Sequence, residues 1–152
     1  TFGPNDSTTR GMIVTVLYRL ENEPSAAAAS FTDVVSGQYY TDAVAWANAN
    51  GIVTGYGNGK FGPNDVVTRE QLAAILYRYA QYKKYDVSVG EDTNILSYAD
   101  AQSVSAYAIP AMQWAGGAGI VNGSNGKLNP QNNATRAEVA TMLMRYCEKV
   151  AK

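Results

Sequence analysis

Apolar residues recur along this chain in three stripes of helical period. Ile13, Val16, Leu17 and Leu20 form the first, Leu72, Ile75, Leu76 and Tyr79 the second, and Val139, Met142, Leu143 and Tyr146 the third. Each set is spaced i, i+3, i+4, i+7, which predicts three amphipathic helices, called rear helices below, starting near Thr9, Thr68 and Thr135. Two alanine-rich segments, Ala43–Ala47 and Ala111–Ala115, each carry a tryptophan and predict two front helices. Thr41 is expected to N-cap the first, and Pro110 suits the opening turn of the second. Gly51 and Gly119 stand where a left-handed helix stop belongs. A short Ile-Val step follows each glycine and predicts at most a minor strand. The polar stretch from Lys83 to Asn94 reads as an irregular linker.

The loops ahead of the rear helices repeat as well. Phe2-Gly3-Pro4-Asn5-Asp6 precedes Thr9-Arg10, Phe61-Gly62-Pro63-Asn64-Asp65 precedes Thr68-Arg69, and Leu128-Asn129-Pro130-Gln131-Asn132 precedes Thr135-Arg136. A second arginine follows in each rear helix, at Arg19, Arg78 and Arg145. The chain is therefore an array of one unit. The expected organisation is the rear half of a first repeat over 1–24, a second repeat over 25–85 and a third over 86–152. The expected fold is all-α: tandem helix-turn-helix repeats joined by Gly/Asn-rich loops. A stripe written three times favours a pseudo-threefold arrangement of the rear helices about one axis. The front half of the first repeat has no counterpart in the sequence, so apolar surface is expected there, open to self-association.

Composition narrows the class. Of 152 residues 46% are hydrophobic, enough for a core, and the net charge of -1 lacks the basic footprint of a nucleic-acid binder. No apolar run is long enough to span a membrane. The single cysteine, Cys147, excludes an intrachain disulfide and reads as an inert thiol. With no histidine, triad catalysis and the usual zinc ligand sets are not available. The Asn/Asp/Gly turns do not follow the calcium-loop pattern. No acidic pair is singled out by position, so no enzyme activity, metal or cofactor is expected.

The Thr-Arg-x-Glu string carries the chemistry that remains. Thr135 with Glu138 and Thr68 with Gln71 fit a capping box, whereas Thr9 with Met12 does not. Capping leaves the arginines unexplained, because a cation at the first helical position opposes the helix dipole. Two readings stand for Arg10, Arg69 and Arg136: salt bridges to another repeat, or an anion site in which free helix N–H groups join a guanidinium fork. The loops Gly55–Lys60 and Gly123–Lys127 offer exposed backbone, amides and the cations Lys60 and Lys127. They are either turns only or part of a carbohydrate site. Trp46 and Trp114 either stack on a sugar or lie in the core, and Asp33 and Asp100 read as local turn caps.

In order along the chain, Phe-x-Asp-Val, the Trp-Ala helix, Gly-Ile-x-x-Gly, Asn-Gly-x-Phe-x-Pro-Asn and Thr-Arg-x-Glu resemble the S-layer homology (SLH) repeat. The resemblance covers nearly the whole chain. It implies a secreted, non-catalytic module of the bacterial cell surface. Such a module would hold its parent protein to an acidic secondary cell-wall polysaccharide, one that often bears pyruvate. It also implies that the Thr-Arg-Ala-Glu string lies in grooves between repeats, with Arg10, Arg69 and Arg136 meeting the anionic sugar and Glu138 beside them. The string is complete only at Thr135-Arg136-Ala137-Glu138. The alternative is a protein–protein scaffold whose arginines are structural.

Overall fold

The computed structural model describes residues 7–28, 30–122 and 126–151. Among them the chain is helical, as expected, and has no β-strand beyond isolated bridges. The α-helices are α1 (Arg10–Leu20), α2 (Thr41–Ala49), α3 (Arg69–Tyr82), α4 (Ile109–Gly117) and α5 (Arg136–Lys149). Short 3-10 turns cover Ser88–Asp92, Ala101–Ser103 and Ala106–Ala108. The described residues divide into two compact units, Thr8–Val66 and Val67–Lys152.

In the unit Thr8–Val66, α1 packs against α2. Ile13, Val14 and Leu17 of α1 and Ala43, Val44, Trp46 and Ala47 of α2 are buried. The Trp46 ring lies 5.8 Å from that of Tyr18. In the other unit α3 packs against α4, and the Trp114 ring lies 5.5 Å from that of Tyr77. Each front helix thus packs on the rear helix of the repeat before it. The apolar stripes follow the expectation with two exceptions. Val16 and Leu20 on α1 are 39% and 56% exposed, whereas Ile75 and Tyr79 at the same places on α3 are buried. On α5, the positions matching Ala73, Tyr77 and Ala80 of α3 are Ala140, Met144 and Cys147, and all three are exposed.

All three rear helices open on a threonine N-cap in a capping box, α1 included. Met12 fills the third position there through sulfur: the Thr9 N–H reaches Met12 Sδ at 3.5 Å, and the Met12 N–H donates to Thr9 Oγ1 at 3.2 Å. A thioether is a weak acceptor, but it has the reach of a Gln side chain. Thr41 differs from its expected role. It is the first residue of α2 behind Tyr40, and its hydroxyl donates to Val35 O at 2.6 Å rather than capping the helix. Pro110 sits in the opening turn of α4, and Gly51 and Gly119 follow the helix ends at φ of 71° and 79°. The Ile-Val step is not a strand. Ile52 and Val53 turn back so that both N–H groups reach Ala47 O, which drops two buried apolar side chains under the helix end. The linker is not wholly irregular either, because Ser88–Asp92 winds into a 3-10 turn that packs on α4.

Candidate functional site

The first arginine is built into the interior of its unit. Arg10 is only 6% exposed. Its Nε donates to Phe61 O at 2.9 Å and its Nη2 to Thr54 O at 3.2 Å. The guanidinium carbon lies 4.8 Å from the Tyr56 ring centre and 4.6 Å from that of Phe61, so the cation is held between two π faces. The Tyr56 hydroxyl donates to Asp65 Oδ2 at 2.8 Å.

The N-terminal N–H groups of α1 and α3 are also engaged, which removes one premise of the anion-site reading. The Arg10 N–H donates to Asp65 O and the Gly11 N–H to Pro63 O, each at 2.9 Å. In the other unit the Arg69 N–H donates to Asn132 O at 2.9 Å and the Glu70 N–H to Pro130 O at 3.0 Å. The Phe/Leu-x-Pro loops of the second and third repeats therefore cap the rear helix of the repeat before them. Glu70, 3% exposed, is satisfied separately by the N–H and hydroxyl of Ser105.

Two aspartates shape those loops. Asp33 accepts from the Phe61 N–H at 2.9 Å and the Gly62 N–H at 2.8 Å, and Asp100 accepts from the Leu128 and Asn129 N–H groups, both at 2.8 Å. Gly62 holds φ 75° and Asn129 φ 51°, the left-handed region that Gly and Asn enter most readily. Burial disfavours the charged carboxylates. The backbone N–H groups, with Lys60 beside Asp33 and Lys127 beside Asp100, outweigh it and hold both acids below the usual Asp value. A depressed folded-state pKa stabilises fully above the unfolded value of about 4 and less as pH falls through the folded one. Stability is thus expected to fall on acidification below about pH 4. Asp33→Asn and Asp100→Asn should each flatten that fall and cost about 1–3 kcal/mol at neutral pH, measured by urea melts across pH.

Arg69 stands at the edge of a cavity. Its Nε donates to Leu128 O at 2.9 Å, and its Nη1 pairs with Glu138 Oε2. The other Glu138 oxygen accepts from the Thr135 N–H at 3.0 Å, so one carboxylate closes the capping box of α5 and ties α5 to α3. The cavity, about 200 Å³, is lined by Arg69, Asn122, Glu138, Thr141 and Arg145 with the apolar Ile120, Val121, Ala137 and Met142. Arg145 Nη1 donates to Ile120 O at 3.3 Å. A guanidinium carries five N–H donors. Two arginines thus face one carboxylate in a cavity with a partly apolar floor, and the excess charge is positive.

The family model for the S-layer homology domain matches residues 30–73 and 97–140, more than half of the chain. The chain belongs to the S-layer homology family. An endoglucanase of Bacillus sp. (strain KSM-635) is 35% identical over 153 residues, covering 99% of this chain and 16% of that protein. An amylopullulanase of Thermoanaerobacterium thermosulfurigenes is 34% identical, covering 97% and 8%. A surface-layer 125 kDa protein of Lysinibacillus sphaericus is 30% identical, covering 98% and 12%. The chain spans about a sixth or less of the length of these relatives. The S-layer homology domain is a cell-wall anchor of surface proteins, and cell-surface anchoring is the role of this chain at that level.

Within this S-layer homology module the structure brings together only some of the residues singled out by sequence. Arg69 and Glu138 meet in the cavity. Arg136, half-buried at the start of α5, does not line it. Trp46 and Trp114 are 1% and 0% exposed. Their rings pack at a tilt against tyrosines in the core, where no sugar reaches them, and the proposed site leaves them out. Gly55 is a packing position: a Cβ there would lie 2.5 Å from the Phe31 ring and 2.8 Å from Lys60 O. Its loop is closed by the Tyr56 N–H donating to Lys60 O at 2.9 Å. Lys60 and Lys127 are exposed neighbours of Asp33 and Asp100. Gly123 lies outside the described residues. Sequence reasoning passed over Arg145, Thr141 and Asn122 as site residues. The recurrence of Arg145 with Arg19 and Arg78 was the available signal.

Proposed function

We propose that the module anchors its parent protein by binding an acidic secondary cell-wall polysaccharide at the Arg69–Arg145 cavity, and that it does no chemistry itself. The observation that carries this reading is the pair of guanidiniums facing a single carboxylate in a cavity of about 200 Å³. That volume suits an acidic substituent such as a ketal-linked pyruvate, with the sugar ring resting at the mouth. The apolar floor of Ile120, Val121 and Met142 lowers the local dielectric and strengthens each charged hydrogen bond. The pseudo-threefold grouping of the rear helices belongs to the same proposal, and a crystal structure with those helices in a row would remove it.

The test is sedimentation of the purified module with cell walls. Intact walls should carry it down, whereas walls stripped of their non-peptidoglycan polymer should not. Soluble polymer with its acidic groups removed should bind about tenfold or more weaker, the effect of one lost charge-assisted pair. Equal binding to acidic and neutral polymer would rule out the cavity as an anion receptor. For Arg10 the structural reading is the favoured one, because its cation is already shared between two carbonyls and two rings.

A further inference from the structure

A second cavity in the unit Val67–Lys152 has the opposite chemistry. It lies between the later part of α3, the segment 85–91 and the start of α4, and holds about 330 Å³. That is at the lower end of the roughly 300–1,000 Å³ range of ligand clefts. Its walls carry Tyr77, Tyr85, Asp86, Ser88, Glu91 and Gln113, and no arginine or lysine lines it. Both tyrosines are half-buried and each is backed by another ring: Tyr77 lies 5.5 Å from Trp114 and Tyr85 lies 6.4 Å from Tyr146. Rings held in this way lose little freedom when a ligand settles on them. The linker reaches this place because of Gly90, which is buried against the Trp114 backbone. A Cβ on Gly90 would come within 3.1 Å of Trp114 N, Cα and Cβ. Asp86 is oriented by the Ser88 N–H at 2.9 Å.

We infer that this cleft is a binding subsite for an uncharged pyranose, with Tyr77 and Tyr85 packing on the C–H faces of the sugar and Asp86, Glu91 and Gln113 bonding its hydroxyls. Aromatic faces suit the apolar side of a sugar ring. Carboxylates accept from sugar O–H groups, and a side-chain amide both donates and accepts. The two carboxylates repel an acidic sugar, so the cleft and the Arg69–Arg145 cavity select different parts of a glycan. This inference deepens the glycan-binding reading but does not need the anion site, and the two are tested apart.

The test is a titration of the whole labelled module with cellobiose and with the β1,4-linked N-acetylglucosamine disaccharide, followed by amide chemical shifts. The expected result is saturable shifts at Tyr85, Gly90 and Gln113 by at least one of the two, with a Kd of about 1–10 mM. Tyr85→Ala and, separately, Gln113→Ala should each weaken binding by about threefold or more. Excess pyruvate, an acid suited only to the Arg69–Arg145 cavity, should leave it unchanged, so failure of the anion site does not touch this result. No shifts from either sugar at about 20 mM would overturn the inference. So would shifts confined to the Arg69 cavity. Binding of glucosamine with none of either neutral disaccharide would also overturn it, since the cleft would then be a cation site.

Discussion

Arg10→Ala is expected to cost about 3–5 kcal/mol, the largest single loss of stability in the module. The side chain makes two charged hydrogen bonds to carbonyls and lies between two rings. Charged hydrogen bonds contribute about 1.5–3 kcal/mol each. A cation between desolvated aromatic faces adds about 1–2 kcal/mol. Removal also strands Phe61 O and Thr54 O, and 3–5 kcal/mol is a large share of a domain's usual stability of about 5–15 kcal/mol. Lysine should not rescue, because a single ammonium cannot reproduce the separate Nε and Nη2 geometry. Urea unfolding of wild type, Arg10→Ala and Arg10→Lys checks this. An unchanged midpoint for the alanine variant would mean that the buried cation is isoenergetic with its replacement.

At the Arg69–Arg145 cavity, substitutions are expected to move binding more than folding. Arg145→Ala should weaken attachment to acidic wall polymer about tenfold or more, since a charge-assisted hydrogen bond is worth about 1.5–3 kcal/mol. The stability cost should stay near 1 kcal/mol, because the one bond described for Arg145 is a long one, at 3.3 Å. Glu138→Gln gives the sharper contrast. Glutamine keeps the capping box, as Gln71 does for Thr68. It also removes the carboxylate that competes for Arg69, so affinity for an acidic glycan should rise severalfold, about 1 kcal/mol. A fall instead would mean that Glu138 itself bonds the sugar. Arg69→Ala should lower affinity and also loosen the tie from α3 to α5, so it shows in both measurements.

Much of the module was legible in the chain because it rests on local chemistry. The 3.6-residue period, the threonine caps of the rear helices, Pro110 and the glycine stops act within a turn or two of their own residue, so they mark the helices directly, Thr41 excepted. The repeated strings likewise exposed the array and its family. Partnership was not legible. A stripe says that a helix has an apolar face, but not which helix covers it, and so Val16 and Leu20 come out exposed while Ile75 and Tyr79 are buried. The arginines show the same divide. One sequence position yields a buried cation at Arg10 and a cavity wall at Arg69, because their surroundings differ. Phe61 and Tyr56 flank Arg10, whereas Leu128 takes the place of Phe61 beside Arg69 and Glu138 supplies a counter-charge. Those neighbours lie 46 to 69 residues away in sequence. Residue type determined that a guanidinium must find acceptors. Only the tertiary structure decided which acceptors it found, because contacts between distant residues depend on where the chain folds back, and no local propensity encodes that.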